Sequence, residues 1–213
     1  MRLTLGPLVA SAALCASAAA QSFNIDIGNA TPAPSSAYGA AANQAGVWNV
    51  YTGGTLNNLQ DLGGNSTSVS LTGTGGILGG FNDPGTFGDD EALMDDGMVV
   101  PFMETYTLSG LAAGSYSVYL YSWTVSNLPT GYNVNNTGFQ TVGGAWPGGH
   151  VAGVTYLAYN VNIAQGQDII ITVHSVDGAL GAFGGLQVVQ VPAPGAAAAL
   201  LGGFLARGGR RRR

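Results

Sequence analysis

The sequence predicts an all-β fold: an antiparallel two-sheet β-sandwich of jelly-roll type, with an N-terminal signal peptide and a short C-terminal apolar helix. Three observations carry this reading. Short segments with period-two alternation recur along the chain, bounded by Gly, Asn and Pro. They are spaced at roughly 8–12 residues, as in sandwiches and barrels, with no long helical pattern between them. Hydrophobic residues make up 46% of the 213 residues, enough for a packed core. Glycine is abundant, 35 residues against a usual ~7% of a chain, but without the G-x-y period of collagen.

The chain divides into residues 1–20, 21–190 and 191–213. The first twenty have the layout of a secretory signal. Arg2 is the charged start, Leu3 to Ala19 is small and apolar, and Ala18-Ala19-Ala20 offers a cleavage site before Gln21. Leu14 precedes the single cysteine, Cys15, which does not fit a lipoprotein signal. Cleavage after Ala20 leaves a mature chain without cysteine and therefore without disulfides.

The body follows in order. Phe23, Ile25 and Ile27 alternate with polar partners, and Val47 to Tyr51 is rich in β-formers. Ser66 to Thr72 alternates through Val69 and Leu71. Tyr116 to Trp123 is the clearest strand; both its faces are apolar, which predicts a central strand covered on both sides. Val154 to Ile163 and Asp168 to Val173 flank Gln165-Gly166-Gln167 and read as a hairpin. Phe183 to Val191 closes the domain. Asp90 to Asp95 has the composition for one or two helical turns, and residues 35–46 for another. The glycine-rich run Gly73 to Gly80 reads as surface turns. There is no internal repeat of 20–50 residues.

After Val191, Pro192-Ala193-Pro194-Gly195 interrupts any regular element. Ala196 to Ala206 is apolar for about eleven residues, where a spanning helix needs about 20. Arg207 and the run Arg210, Arg211, Arg212, Arg213 follow. Proline motif, short apolar helix and arginine cluster together resemble the PEP-CTERM sorting tail of exported bacterial proteins, with Ala193 standing where the family has Glu. The resemblance covers residues 191–213. It implies signal peptidase and an exosortase-like enzyme as partners, a transient tether to the inner membrane, and delivery to the cell surface or extracellular matrix.

Within the body, Leu111-x-x-Gly114-x-Tyr116-x-Val118-Tyr119-Leu120-Tyr121-Ser122 is followed by Gly153-Val154-Thr155-Tyr156 and Gly184-Gly185-Leu186-Gln187-Val188-Val189. This succession resembles the galactose-binding-like jelly-roll domains of bacterial surface proteins. It implies a two-sheet jelly roll, often non-catalytic and often glycan-binding, and assigns no site residue.

Charge narrows the function classes. The net charge of −5 separates into six arginines confined to the chain ends and eleven acids between Asp26 and Asp177; there is no lysine. Residues 21–190 thus hold eleven carboxylates and no Lys or Arg. That excludes phosphate neutralisation, hence nucleic-acid binding. Intramolecular Lys or Arg salt bridges are unavailable to the body.

The acids concentrate. Asp83, Asp89, Asp90, Glu91, Asp95 and Asp96 fall within fourteen residues beside Pro84-Gly85 and Gly88. Ca²⁺ takes six to eight oxygens from flexible loops, and Asp83, Asp89, Asp90, Glu91 and Asp95 could supply them. The spacing of an EF-hand is absent, and a solvated acidic loop explains the same residues. His150 lies after Trp146-Pro147-Gly148-Gly149 and His174 ends an apolar strand; neither spacing suits zinc. No G-x-S-x-G nucleophile elbow and no G-x-x-x-x-G-K-[ST] phosphate loop occurs, so a non-catalytic protein is expected.

Aromatic rings stack on sugar faces, and Tyr and Trp add polar handles. Trp48 and Trp123 fall in strand patterns and are expected in the core. Trp146, Tyr132 and Asn135, in the Asn133 to Asn136 run, read as loop residues and as candidate glycan contacts. Two classes of function follow: a structural surface or matrix protein, favoured, or a carbohydrate-binding module using loop aromatics, with Ca²⁺ as a possible helper and extracellular polysaccharide as partner.

Overall fold

A computed structural model describes residues 21–80, 82–122, 129–178 and 180–192. Residues 1–20, read above as a signal peptide, Ala193 and the residues beyond it, and Trp123 lie outside the described residues. The elements run β1 (Phe23–Ile27), β2 (Trp48–Tyr51), β3 (Thr55–Leu56), β4 (Ser70–Gly73), β5 (Ile77–Gly80), α1 (Asp89–Met94), β6 (Asp96–Val100), β7 (Met103–Ser109), β8 (Gly114–Tyr121), β9 (Thr130–Val134), β10 (Gln140–Val142), β11 (Tyr156–Ile163), β12 (Ile169–Ser175), β13 (Gly181–Phe183) and β14 (Gly185–Val191).

Two sheets face each other. One has the order β11-β8-β14-β1-β2, the other β10-β9-β12-β7-β4-β3, and a small sheet β13-β6-β5 accompanies them. The alternation read from the sequence sets the inner faces. Phe23, Ile25, Val118, Leu120, Leu186 and Val188 of the first sheet belong to one buried cluster with Tyr106, Leu108, Val134, Ile169, Ile171 and Val173 of the second. Rings of Tyr51, Tyr106, Phe183 and Tyr132 meet edge to face in series, with centroids 6.0, 4.9 and 5.6 Å apart. Each such contact contributes about 0.5–1.5 kcal/mol beyond area burial.

The chain crosses repeatedly between the layers. β7 pairs with β12 and, nested inside that pair, β8 pairs with β11, in the manner of a jelly roll. β8 is central, as its two apolar faces predict, lying between β11 and β14. α1 is present within one residue of the expected place, with Asp89, Asp90 and Glu91 in its first turn, favourable to the helix dipole.

Four expectations are corrected. Gln165-Gly166-Gln167 does not close a hairpin: β11 pairs with β8 and β12 with β7 and β9, so the turn arches between sheets. Alternation is identical for a hairpin and an arch; only the partner strands distinguish them. Residues 35–46 form turns rather than a helix, with Ala40 and Asn43 at φ 45° and 51°. Part of the Gly73 to Gly80 run is strand, Ile77–Gly80, paired with β6. The first sheet is not wholly antiparallel, since β1 and β2 pair in parallel. A parallel pair needs a long crossover, here residues 28–47, and this crossover covers part of the sheet's outer face.

Candidate functional site

The outer face of the five-stranded sheet carries an unusual set of side chains. Register places Tyr156 opposite Tyr121, and Ala158 opposite Tyr119, across β11 and β8. Gln187 lies opposite Tyr119 and Asn24 opposite Gln187, with Trp48 beside Asn24. This face therefore reads aromatic, amide and aromatic across five strands. The crossover covers its Trp48 side and Tyr119 and Tyr156 stay half-buried.

The covering segment is held by a buried polar network. Asn24 Oδ1 accepts from Gln44 Nε2 at 3.1 Å and Gln187 Nε2 at 2.8 Å. The Tyr121 hydroxyl accepts from Ala41 N at 2.9 Å and donates to Gln187 Oε1. Gln187 Nε2 also donates to Gly39 O at 3.2 Å, and Asn24 Nδ2 to Gln44 O at 2.9 Å. Sheet side chains thus capture the turn's backbone groups, which a helix would have needed for itself. Buried amides left unpaired cost about 1–3 kcal/mol, so the network fixes the segment in one place.

Next to this network, Tyr38 donates to Asp90 and stands 2.6 Å from His150 Nε2. With the hydroxyl proton directed at Asp90, Nε2–H of His150 is the donor and Nδ1 is bare; Nδ1 is buried without a hydrogen-bond partner. His150 Nε2 is 3.6 Å from Asp90 Oδ1. Its ring meets Tyr121 and Trp146 edge-on at 5.1 and 5.5 Å. Burial pushes the His150 pKa down against the pull of Asp90, so the ring is neutral near pH 7. Burial first, and the Asp90 hydrogen bond second, push the Tyr38 phenol up. A locked phenol and a neutral imidazole, each committed to a neighbour, position the Trp146 loop.

Beyond the covered part the face is open. The Tyr119 and Tyr156 rings lie 5.9 Å apart, tilted by 37°. Alongside, Ser117 Oγ donates to Asn160 Oδ1 at 2.8 Å and Ser115 Oγ to Asn162 Oδ1 at 2.5 Å. Ser115, Asn160 and Asn162 are exposed. Two half-exposed rings beside two rungs of hydroxyl and amide make a surface with apolar faces and hydrogen-bonding edges and no cation.

The sequence-derived glycan residues do not converge. Trp146 is half-buried and packs on the outer face of the five-stranded sheet. Tyr132 is not in a loop: it lies in β9, fully buried, donating to Tyr121 O at 3.0 Å and Ala182 O at 2.9 Å. Asn135 belongs to the other sheet's edge of the molecule, where its side chain accepts from Ile170 N at 2.7 Å and donates to Asp168 O at 3.4 Å. Trp48 packs as expected, in the second buried cluster with Leu93, Met94 and Tyr121. His174 stacks edge-on with Phe139, centroids 4.6 Å apart.

The acids proposed for Ca²⁺ are engaged separately. Asp83 Oδ1 accepts from Gly85 N, and Asp95 accepts from Asp83 N and Thr86 Oγ1. Asp89 accepts the backbone and hydroxyl of Ser35, and Asp90 the Tyr38 hydroxyl. Glu91 is exposed on α1. Among the described residues, no group of three or more His, Cys, Asp or Glu is arranged to hold a metal. A cleft of about 320 Å³ lies between the crossover and α1, lined by Thr31, Pro32, Ser35, Asp89 and Glu91 among others. Tyr38, Tyr119 and Tyr156 were missed as a group because their association depends on the crossover and on strand pairing.

No protein-family model and no curated protein matches the chain. Solved structures do match in fold. The ANX2 ectodomain from Arabidopsis thaliana superposes with a TM-score of 0.50 at 11% identity, over 81% of this chain and 42% of its own. The ANXUR1 extracellular domain, also from Arabidopsis thaliana, gives 0.50 at 11% identity, over 80% and 48%. A calcium-binding mutant of Bacteroides uniformis beta-glucuronidase 2 gives 0.49 at 12% identity, over 80% and 18%. The chain spans less than half of each of these proteins. Fold and comparisons define an all-β sandwich domain. Among the described residues, no helix is long and apolar enough to cross a membrane.

Proposed function

We propose that this is an exported, non-catalytic surface or matrix protein whose body contacts neutral polysaccharide through the open outer face of β8 and β11. The observation that carries the reading is the tilted, half-exposed Tyr119–Tyr156 pair beside the Ser117–Asn160 and Ser115–Asn162 rungs. Ring faces cover the C–H surface of a sugar, and amides and hydroxyls at their edge meet its hydroxyls. The body contains no Lys or Arg, so a neutral glycan suits this face and an anionic one does not. Trp146, held by His150, flanks the same cluster.

The test is affinity electrophoresis of the purified protein through gels containing neutral or uronic-acid polysaccharides, backed by a glycan array. Retardation by a neutral polymer is expected, lost in Tyr119→Ala/Tyr156→Ala with the β-sheet signal in far-UV circular dichroism and a cooperative unfolding transition retained. No retardation by any polymer would refute the binding reading.

Export rests on the residue 1–20 pattern, and surface delivery on the resemblance of residues 191–213 to an exosortase-processed tail. The two Arabidopsis structures are of an ectodomain and an extracellular domain, in keeping with an exported fold. Intact-mass measurement of protein from the native host tests this: a mass for about residues 21–191 is expected, and a secreted chain keeping Met1 and Arg213 would refute it.

A further inference from the structure

The open strip on the outer face of β8 and β11 repeats along its length. Register pairs Tyr156 with Tyr121, Ala158 with Tyr119, Asn160 with Ser117 and Asn162 with Ser115. Side chains two residues apart share a face, so these four pairs form consecutive rows about 6.5–7 Å apart. The first row and the last are separated by about 20 Å along the strands. The Tyr119 and Tyr156 rings stand at one end, and the exposed Ala158 leaves a gap beside Tyr119. The two rows that follow are chemically identical: in each, a serine hydroxyl donates to an asparagine Oδ1. That bond fixes the amide and commits its oxygen, which leaves the two N–H donors of Nδ2 for a ligand.

β11 is an edge strand of the sheet, and Ser115, Ala158, Asn160 and Asn162 are exposed, so the strip is open along that edge. On its other flank, Val189 and the exposed Val191 of β14 continue the two serine rows as an apolar border. None of the eleven acids lies in β8, β11 or β14. Holding the end of a chain calls for a concave pocket that encloses it. An open strip with one repeated rung instead matches a ligand that itself repeats. We infer that the strip takes the interior of an extended neutral polysaccharide chain, lying along the strands across several sugar units, and does not select a chain end. The inference rests on the binding role proposed above. The rings cover the C–H face of one unit, and Asn160 and Asn162 donate to oxygens of the units beyond it. The serine bonds hold both amides in place before the ligand arrives, so little side-chain freedom is lost on binding.

The experiment is calorimetric titration of the purified protein with cello-, laminari- or manno-oligosaccharides of two to six units. The series is matched to the polymer that retards the protein: hydroxyethylcellulose, laminarin or galactomannan. Each oligosaccharide is used as the free sugar and with its reducing end reduced to the alditol. Affinity should rise by about tenfold or more between two and four units, as two further hydrogen-bonded rows of modest net strength come into reach, and then level off. Reduction of the end should change the affinity of the longer oligosaccharides by less than about twofold. Asn160→Ala/Asn162→Ala should bind the short oligosaccharides like the unmodified protein and lose the gain with length. Should that variant not fold, the length series on the unmodified protein decides. Retardation by the polymer with an oligosaccharide affinity that is absent at every length, independent of length, or lost on end reduction would overturn this inference and leave the binding role standing. Failure of every neutral polymer to retard the protein would remove both.

Discussion

The Tyr38 hydroxyl lies 2.6 Å from His150 Nε2 although 112 residues separate them in sequence. It joins the β1–β2 crossover to the loop before β11, over the aromatic end of the five-stranded sheet. The same hydroxyl donates to Asp90, so one oxygen ties together three segments: crossover, helix and loop.

Removing that oxygen should loosen all three. Tyr38→Phe leaves the buried His150 N–H without its acceptor, and a cost of about 1–3 kcal/mol is expected. Urea denaturation measures it. A loss below about 0.5 kcal/mol would mean that Asp90 swings in to replace the phenol.

Acid should weaken the same place. Burial lowers the folded pKa of His150, so the unfolded chain binds the proton more readily. The contribution of His150 is complete above about pH 6.5 and is lost as pH falls through the folded value. Between pH 7.5 and 5, the stability difference between the unmodified protein and His150→Gln should shrink. A constant difference would show that the ring titrates normally.

Tyr132 separates core from surface among the tyrosines. Tyr132→Phe should cost about 1–3 kcal/mol through the two buried carbonyls it leaves. Tyr132→Ala should cost about 3–5 kcal/mol through the cavity. Tyr119→Phe should stay within about 0.5 kcal/mol, as half-exposed substitutions do. Thermal or urea unfolding of the three variants checks the order.

Gly46 is required by the backbone. It adopts φ 149°, and a Cβ there would sit 2.6 Å from Leu62 Cβ and 2.7 Å from Leu62 O. Gly46→Ala should destabilise by more than the ~1 kcal/mol at which such swaps are favourable elsewhere, and with the opposite sign. An unchanged melting temperature would show that residues 61–63 yield freely.

Salt should stabilise the body. Eleven carboxylates without Lys or Arg repel one another, and Asp89, Asp90 and Glu91 are consecutive on α1. At physiological ionic strength the Debye length is about 8 Å, so screening acts between such neighbours. In EDTA, the melting temperature should rise gradually with NaCl. A flat response would place these charges too far apart to matter.

The sequence by itself determined the elements whose signal is local. Tyr156–Ile163 alternates because one face is buried, Phe23–Ile27 alternates in polarity although both its faces are buried, and the Asp89–Met94 turn shows in its composition. The absence of Lys and Arg from the body, which bars polyanions and leaves buried acids uncompensated, needs no coordinates. What tertiary structure decided is partnership. The pattern at Gln165-Gly166-Gln167 suits a hairpin and an arch equally, and strand pairing chose the arch. Tyr132 resembles a loop residue amid Gly and Asn, yet β12 captures its strand and buries it. Residues 35–46 have helical composition, but Gln187 and Tyr121, more than 70 residues away, take the turn's backbone groups. Asp26 looks like one polar position in an alternating strand, and only tertiary packing buries it fully with both carboxylate oxygens lacking a hydrogen-bond partner. Side chains facing outward from a sheet are specified by what later folds across them, and period-two alternation is silent on that.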